Sequence, residues 1–296
     1  MATVGQHKLR LGELGKCLIT AAERFTEDDM MTYAAAIAYQ MFFSLFSLVI
    51  FLISLLGILQ ISGFFDQLLD QAQTALPGQA AWIVEQVIGQ VRELSGIGVL
   101  SFGVIATLWS ASTGVRALMH ALNAAYHVEQ PRPTWKRFPL SIFYAVLLMV
   151  MIIVPLGLIL ISSQEVSWIA DQLGVSTVFA TLWSWLRFPV AVLFLMVVIA
   201  FVYYLLPNAD EPFRLVTPGA VLAVIAWVAA SLVFSYYVSN FVVYNATYGS
   251  LGAVLALLLY FFITASVLLF GAEVNVAIYH KFAKDEKEGE KARETS

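Results

Sequence analysis

The chain has 296 residues, of which 60% are hydrophobic and only 12% charged, and its net charge is −4. Soluble domains carry about 25% charged and about 45–50% apolar residues, so a water-soluble fold is excluded, because it could not hide this much apolar surface. The single cysteine, Cys17, excludes an intrachain disulfide, a CxxC pair and a thiolate metal site.

Residues 1–33 form a charged N-terminal segment in which 7–25 is expected to be an interfacial helix on the inner side, with Cys17 incidental to function. The segment lacks a compact apolar core followed by a small-residue cleavage site, so the first apolar run reads as a retained signal anchor. A bilayer core about 30 Å thick needs roughly 20 apolar residues in a helix. Six stretches qualify, near 34–59, 97–119, 139–162, 188–206, 215–240 and 249–279. Helix is the conformation expected for all six, since lipid offers no partner to an exposed backbone amide. Between the first two lies the largest loop, 61–96. Its apolar residues Phe64, Phe65, Leu68 and Leu69, then Ile83, Val84, Val87, Ile88 and Val91, repeat at helical spacing on either side of Leu76-Pro77-Gly78. They predict a pair of amphipathic helices at the outer interface. Trp168, Trp183 and Trp185 in 165–187 suit the headgroup level. Beyond Lys281 the charged residues 281–296 are expected to form a mobile tail.

The predicted fold is therefore all-α, a six-span membrane domain over 34–280 with amphipathic interfacial helices. Orientation follows from lysine and arginine placement. Fourteen of these residues lie on the side holding both termini, and only Arg92 and Arg187 on the other. The side with fourteen is expected to be cytoplasmic.

Several polar residues fall inside the spans. Tyr33, Gln40, Ser44, Ser47 and Ser54 lie within about 80° of one another on a helical wheel, a stripe that should face other helices or water. It predicts either interhelical hydrogen bonds or one wall of a solute or lipid pathway. Arg116 shares a helical face with Trp109, Ser112, His120 and Asn123. The one acid within a span is Glu273, at a similar depth toward the cytoplasmic ends. Pairing would lower the cost of both charges, so an Arg116–Glu273 ion pair is expected, structural or linked to a substrate or proton. Pro155 and Gly157 interrupt the third span as a packing kink or hinge. Asn245-Ala246-Thr247 matches a glycosylation sequon by pattern alone.

Catalytic patterns are missing. There is no HExxH, GxSxG or GxxxxGK[ST], and the four histidines, His7, His120, His127 and His280, have no carboxylate cluster in sequence. No metal site, cofactor or nucleic-acid surface is expected.

Glu27-Asp28-Asp29-Met30 leads into Ala34-Ala35-Ala36-Ile37-Ala38-Tyr39 and Phe43-Ser44-Leu45. Leu108-Trp109-Ser110-Ala111-Ser112 precedes Gly114-Val115-Arg116-Ala117-Leu118 and Leu122-Asn123. Leu206-Pro207-Asn208 is followed by Pro218-Gly219-Ala220, and Tyr244 through Gly252 by Leu269-Phe270-Gly271-Ala272-Glu273-Val274-Asn275. In this order the series resembles the YihY/BrkB family of bacterial inner-membrane proteins over roughly residues 25–280. The resemblance implies six spans in the inner membrane. It also brings a former ribonuclease BN label, regarded as mistaken, and links to serum resistance and the cell envelope.

Two functions are consistent with these residues. One is a transporter or lipid-translocating protein, resting on Arg116, Glu273, the polar stripe and Pro155, with membrane lipids around it and a lipid or small solute as substrate. The other is a structural or interaction protein of the envelope without transport. A membrane-embedded enzyme ranks third, and an oligomer is compatible with either of the first two readings.

Overall fold

The computed structural model describes residues 11–59, 97–128, 132–160, 177–209, 217–240 and 250–294. The outer loop 61–96 and the sequon at Asn245 lie outside them. All regular structure among the described residues is helical: α1 (Leu11–Glu27), α2 (Met30–Leu59), α3 (Ile97–Ala125), α4 (Thr134–Leu160), α5 (Thr177–Leu205), α6 (Pro218–Asn240) and α7 (Ser250–Glu294).

Among the described residues, five stretches are long and apolar enough to cross a membrane: Met30–Leu48, Thr134–Val154, Trp185–Leu205, Pro218–Val238 and Val254–Lys281. With 29 residues, α3 is about 43 Å long, which is compatible with a sixth span. Large apolar side chains stay uncovered along these helices, among them Val150 and Ile153 on α4, Leu193 on α5, and Leu232 and Val233 on α6. Contiguous apolar faces of this size suit lipid rather than water. Exposed Trp135 at the start of α4, Trp185 in α5 and Tyr236 in α6 suit the headgroup level.

The charged tail is helical, with α7 continuing to Glu294. Its Ala, Glu, Lys and Arg are good helix formers, and the preceding turns already meet the cost of nucleation. α4 stays helical through Pro155 and Gly157 to Leu160. Trp183 and Trp185, expected in a loop, lie inside α5, which also contains Pro189.

The chain divides into two compact units, one of Met1–Tyr39 with Val115–Ser296 and one of Gln40–Gly114. In the smaller unit α2 and α3 approach closely through small residues. A Cβ on Gly103 would come within 3.0 Å of the Phe51 Cα, and one on Gly114 within 3.6 Å of the Gln40 Cβ. In the larger unit α6 packs on α7, α1 on α7, α4 on α5 and α5 on α6.

The α6–α7 pair shows how the larger unit is fixed. Thr217 precedes α6 and Pro218 opens it, the placement in which the missing proline N–H is harmless. The Thr217 hydroxyl accepts from Ala220 N–H at 3.2 Å. Gly219 N–H donates to Asn275 Oδ1 on α7 at 2.8 Å, and Asn275 Nδ2 donates to Thr217 Oγ1 at 3.1 Å. Farther along, Trp227 Nε1 donates to Thr264 Oγ1, and Ser231 shares a hydrogen bond with Tyr260. Interhelical bonds of this kind replace the hydrophobic driving force that lipid does not supply.

Candidate functional site

The expected site residues separate. Gln40 and Ser44, both half-buried, and fully buried Ser112 belong to the smaller unit; Ser112 Oγ donates to the Trp109 carbonyl of its own helix at 2.9 Å. Arg116, Asn123 and Glu273 belong to the larger unit. There Arg116 donates to Ser141 Oγ at 3.2 Å and lies 5.2 Å from the centre of the Phe138 ring. Asn123 Oδ1 accepts from the Asn208 amide at 2.8 Å. The expected Arg116–Glu273 pair is not formed, since neither Glu273 oxygen has a hydrogen-bond partner. The charges whose fields reach Glu273 are Asp28 and Arg24. Their helices turn Arg116 and Glu273 toward different neighbours. The single losses from Arg116→Ala and Glu273→Ala are therefore expected to add within about 0.5 kcal/mol in a double-mutant cycle on detergent-solubilised stability. Recovery of yield in the double mutant would contradict this.

Glu273 is fully buried, and its surroundings come from four elements. Arg24 lies in the last turn of α1, and its Nη1 is buried without a hydrogen-bond partner. Asp28 follows in the turn to α2, where Asp29 takes a left-handed φ of 53°. Beside Asp28 Oδ2, at 3.7 Å, is His127 Nε2. His127 closes α3 with φ 49°: its N–H reaches the Ala124 carbonyl, and the next N–H, Val128, reaches Asn123. That is the Schellman arrangement, in which glycine is usual; here a side chain takes the place and is held against Asp28. From α7 itself, His280 lies within the fields of Arg24 and His127.

Beside this nest the loops are tied by arginine. Arg132 donates to the carbonyls of Leu205, Leu206 and Pro207 at 3.4, 2.9 and 3.2 Å. Arg137 donates to the Arg132 carbonyl and lies 2.6 Å from His120 Nε2. A guanidinium only donates, so the imidazole accepts there and is neutral. Burial and the Arg137 charge both hold the His120 pKa below the usual histidine range.

Sequence reasoning took Arg24 for a topology charge and set His127 aside. The signal available was the Glu27-Asp28-Asp29 run before an apolar helix. Asn275 and the Gly219–Gly271 crossing were present only as the small-residue pairs Gly219/Ala223 and Gly271/Asn275 at helical spacing.

The sequence model of the family described as Virulence factor BrkB matches residues 21–295. The chain belongs to this family. A BrkB-family relative in Bacillus subtilis, named ribonuclease-like protein YfkH, is 36% identical over 262 residues, covering 88% of this chain and 94% of that one. A UPF0761 membrane protein of Alkalilimnicola ehrlichii is 28% identical and one of Xanthomonas campestris 26%, over 87% and 85% of this chain. The chain spans 57% and 58% of the length of these two UPF0761 relatives. No solved structure matches the chain.

Proposed function

We propose that this BrkB-family membrane protein is a transporter or lipid-translocating protein of the bacterial inner membrane, with both termini in the cytoplasm and with Glu273 at its working polar centre. One observation carries the reading. Glu273 is fully buried and neither carboxylate oxygen meets a donor. Two residues along the same helix, Asn275 shows what a structural polar group looks like, with its amide oxygen and nitrogen both engaged. Placing a carboxylate within a span costs about 2.5–3.5 kcal/mol at mid-span and less near the ends, and a fold that needed only packing would have an apolar residue there. The charges of Arg24 and Asp28 reach Glu273, and His127 lies beside Asp28, so groups able to exchange charge and hydrogen bonds with a passing solute or headgroup are near. The fourteen-to-two basic bias supports the orientation.

The test is reconstitution of the full chain in vesicles of bacterial phospholipid. One arm follows flipping of a fluorescent-headgroup phosphatidylethanolamine, and the other follows entry of solutes from a bacterial metabolite extract by mass spectrometry. The wild type is expected to raise at least one rate several-fold over protein-free vesicles, and Glu273→Gln, still folded, to lower it. A folded wild type that moves neither lipid nor solute would overturn the proposal in favour of an envelope-docking protein.

A further inference from the structure

Glu273 is a buried carboxyl group with neither a donor nor space at its oxygens. Its relative exposure is 0%, and no water-sized opening reaches either oxygen. A hydrated cation or an organic ammonium group would need room at those oxygens. Among the described residues, moreover, no cluster of three His, Cys, Asp or Glu is placed to hold a metal ion. A proton needs no room, because it binds as a covalent O–H. It also removes the cost of a buried charge whose counter-ion is not in contact.

α1 packs against the stretch of α7 that carries Glu273. It runs antiparallel to the cytoplasmic half of α7: Glu13 pairs with Lys281 at 3.1 Å, Cys17 and Ala21 pack against Val274, Ala277 and Ile278, and Phe25 meets Phe270 edge-on at 6.0 Å. The grip is light. The ion pair is partly exposed, a class of contact worth about 0.2–1 kcal/mol, and Cys17 and Ala21 bury small side chains. Past the end of α1 the backbone bends at Asp29 in the left-handed region, where a small rotation would swing the whole helix.

We propose that Glu273 holds a proton in this closed conformation and that α1 is the cytoplasmic lid whose departure releases it. The proposal rests on the transport reading of the same site. When α1 moves away, water reaches the carboxyl group. The O–H bond breaks, its electron pair stays on the carboxylate, and the proton passes to that water. Ionised Glu273 is then solvated in the field of Asp28, with His127 beside Asp28, while Arg24 moves with α1. Rebinding a proton lets the lid close.

Cys17 is the one cysteine in the chain, and it is buried on the face of the lid that packs against α7, so it is a native reporter. In the full-length protein in nanodiscs, labelling by a membrane-impermeant maleimide is followed against pH for wild type and Glu273→Gln. The intrinsic thiol reactivity is common to both and cancels in the ratio of their rates. The ratio is expected to rise several-fold with pH, as ionised Glu273 holds the lid open in the wild type alone, and Glu273→Asp should keep the rise. Infrared spectra at low pH should show a protonated-acid carbonyl band that Glu273→Gln removes. A ratio that stays flat, rapid labelling at every pH, or no such band would overturn the proposal. These outcomes are separable from transport: a flat ratio with intact flux removes the proton and the lid but leaves a transporter.

Discussion

Gly219→Ala is expected to abolish recovery of folded protein from detergent, while Gly15→Ala leaves it unchanged or slightly improved. A Cβ at Gly219 would collide with the Gly271 carbonyl oxygen and stand 2.6 Å from Asn275 Oδ1; one at Gly271 would collide with the Tyr203 hydroxyl and stand 2.7 Å from the Gly219 oxygen. Most of these obstacles cannot yield. Two are backbone carbonyls, the Asn275 amide caps α6, and the Tyr203 hydroxyl is tied to the Leu268 carbonyl at 2.6 Å. Overpacking usually costs about 1–3 kcal/mol, and rigid backbone places this crossing at or above the upper end. The same methyl at Gly15 meets nothing within 4 Å, and Ala is favoured over Gly in a helix by up to about 1 kcal/mol. Size-exclusion profiles and melting temperatures of the two variants decide the matter. A Gly219→Ala protein that melts like the wild type would show that α6 and α7 do not approach this closely.

The helices were legible because lipid leaves the backbone one solution, so apolar length alone located the spans. For the same reason Arg116 and Glu273 could be ranked along their helices by counting residues from the charged ends. Direction around a helix axis was not legible. Where lipid and protein are both apolar, a hydrophobic residue facing a neighbour and one facing the bilayer look alike, so nothing in the sequence turned Arg116 toward Ser141 or Glu273 toward α1. The partners of Glu273 were hidden for a second reason. Arg24 and Asp28 belong to a segment whose charges also serve as orientation signals, and the long-range packing of α1 on α7 is what gives them another role. The motif residue Asn123 accepts from the Asn208 amide, a contact that its place in the motif did not announce.

Arg132 carries the second large expected effect. The last carbonyls of a helix have no partner within it. Those of Leu205, Leu206 and Pro207, where α5 ends, are gathered by one guanidinium whose planar fork reaches three acceptors. A hydrogen bond to a charged group contributes about 1.5–3 kcal/mol. Water can replace part of that at a half-buried site, so Arg132→Ala is expected to cost about 2 kcal/mol rather than the sum of three such bonds. Lysine keeps the charge that sets orientation but presents a compact ammonium in place of the fork. Arg132→Lys should therefore keep the topology and still lose much of the stability. If orientation were the whole role of this residue, lysine would restore both. Asn123 grips the same connection one residue farther on, through the Asn208 amide. Once either tie is gone the connection is looser and the other has less to hold, so Arg132→Ala with Asn123→Ala should cost less than the two separately. Strict additivity would mean that the two side chains hold independent structures, and the coupling of the α3–α4 corner to the end of α5 would have to be sought elsewhere.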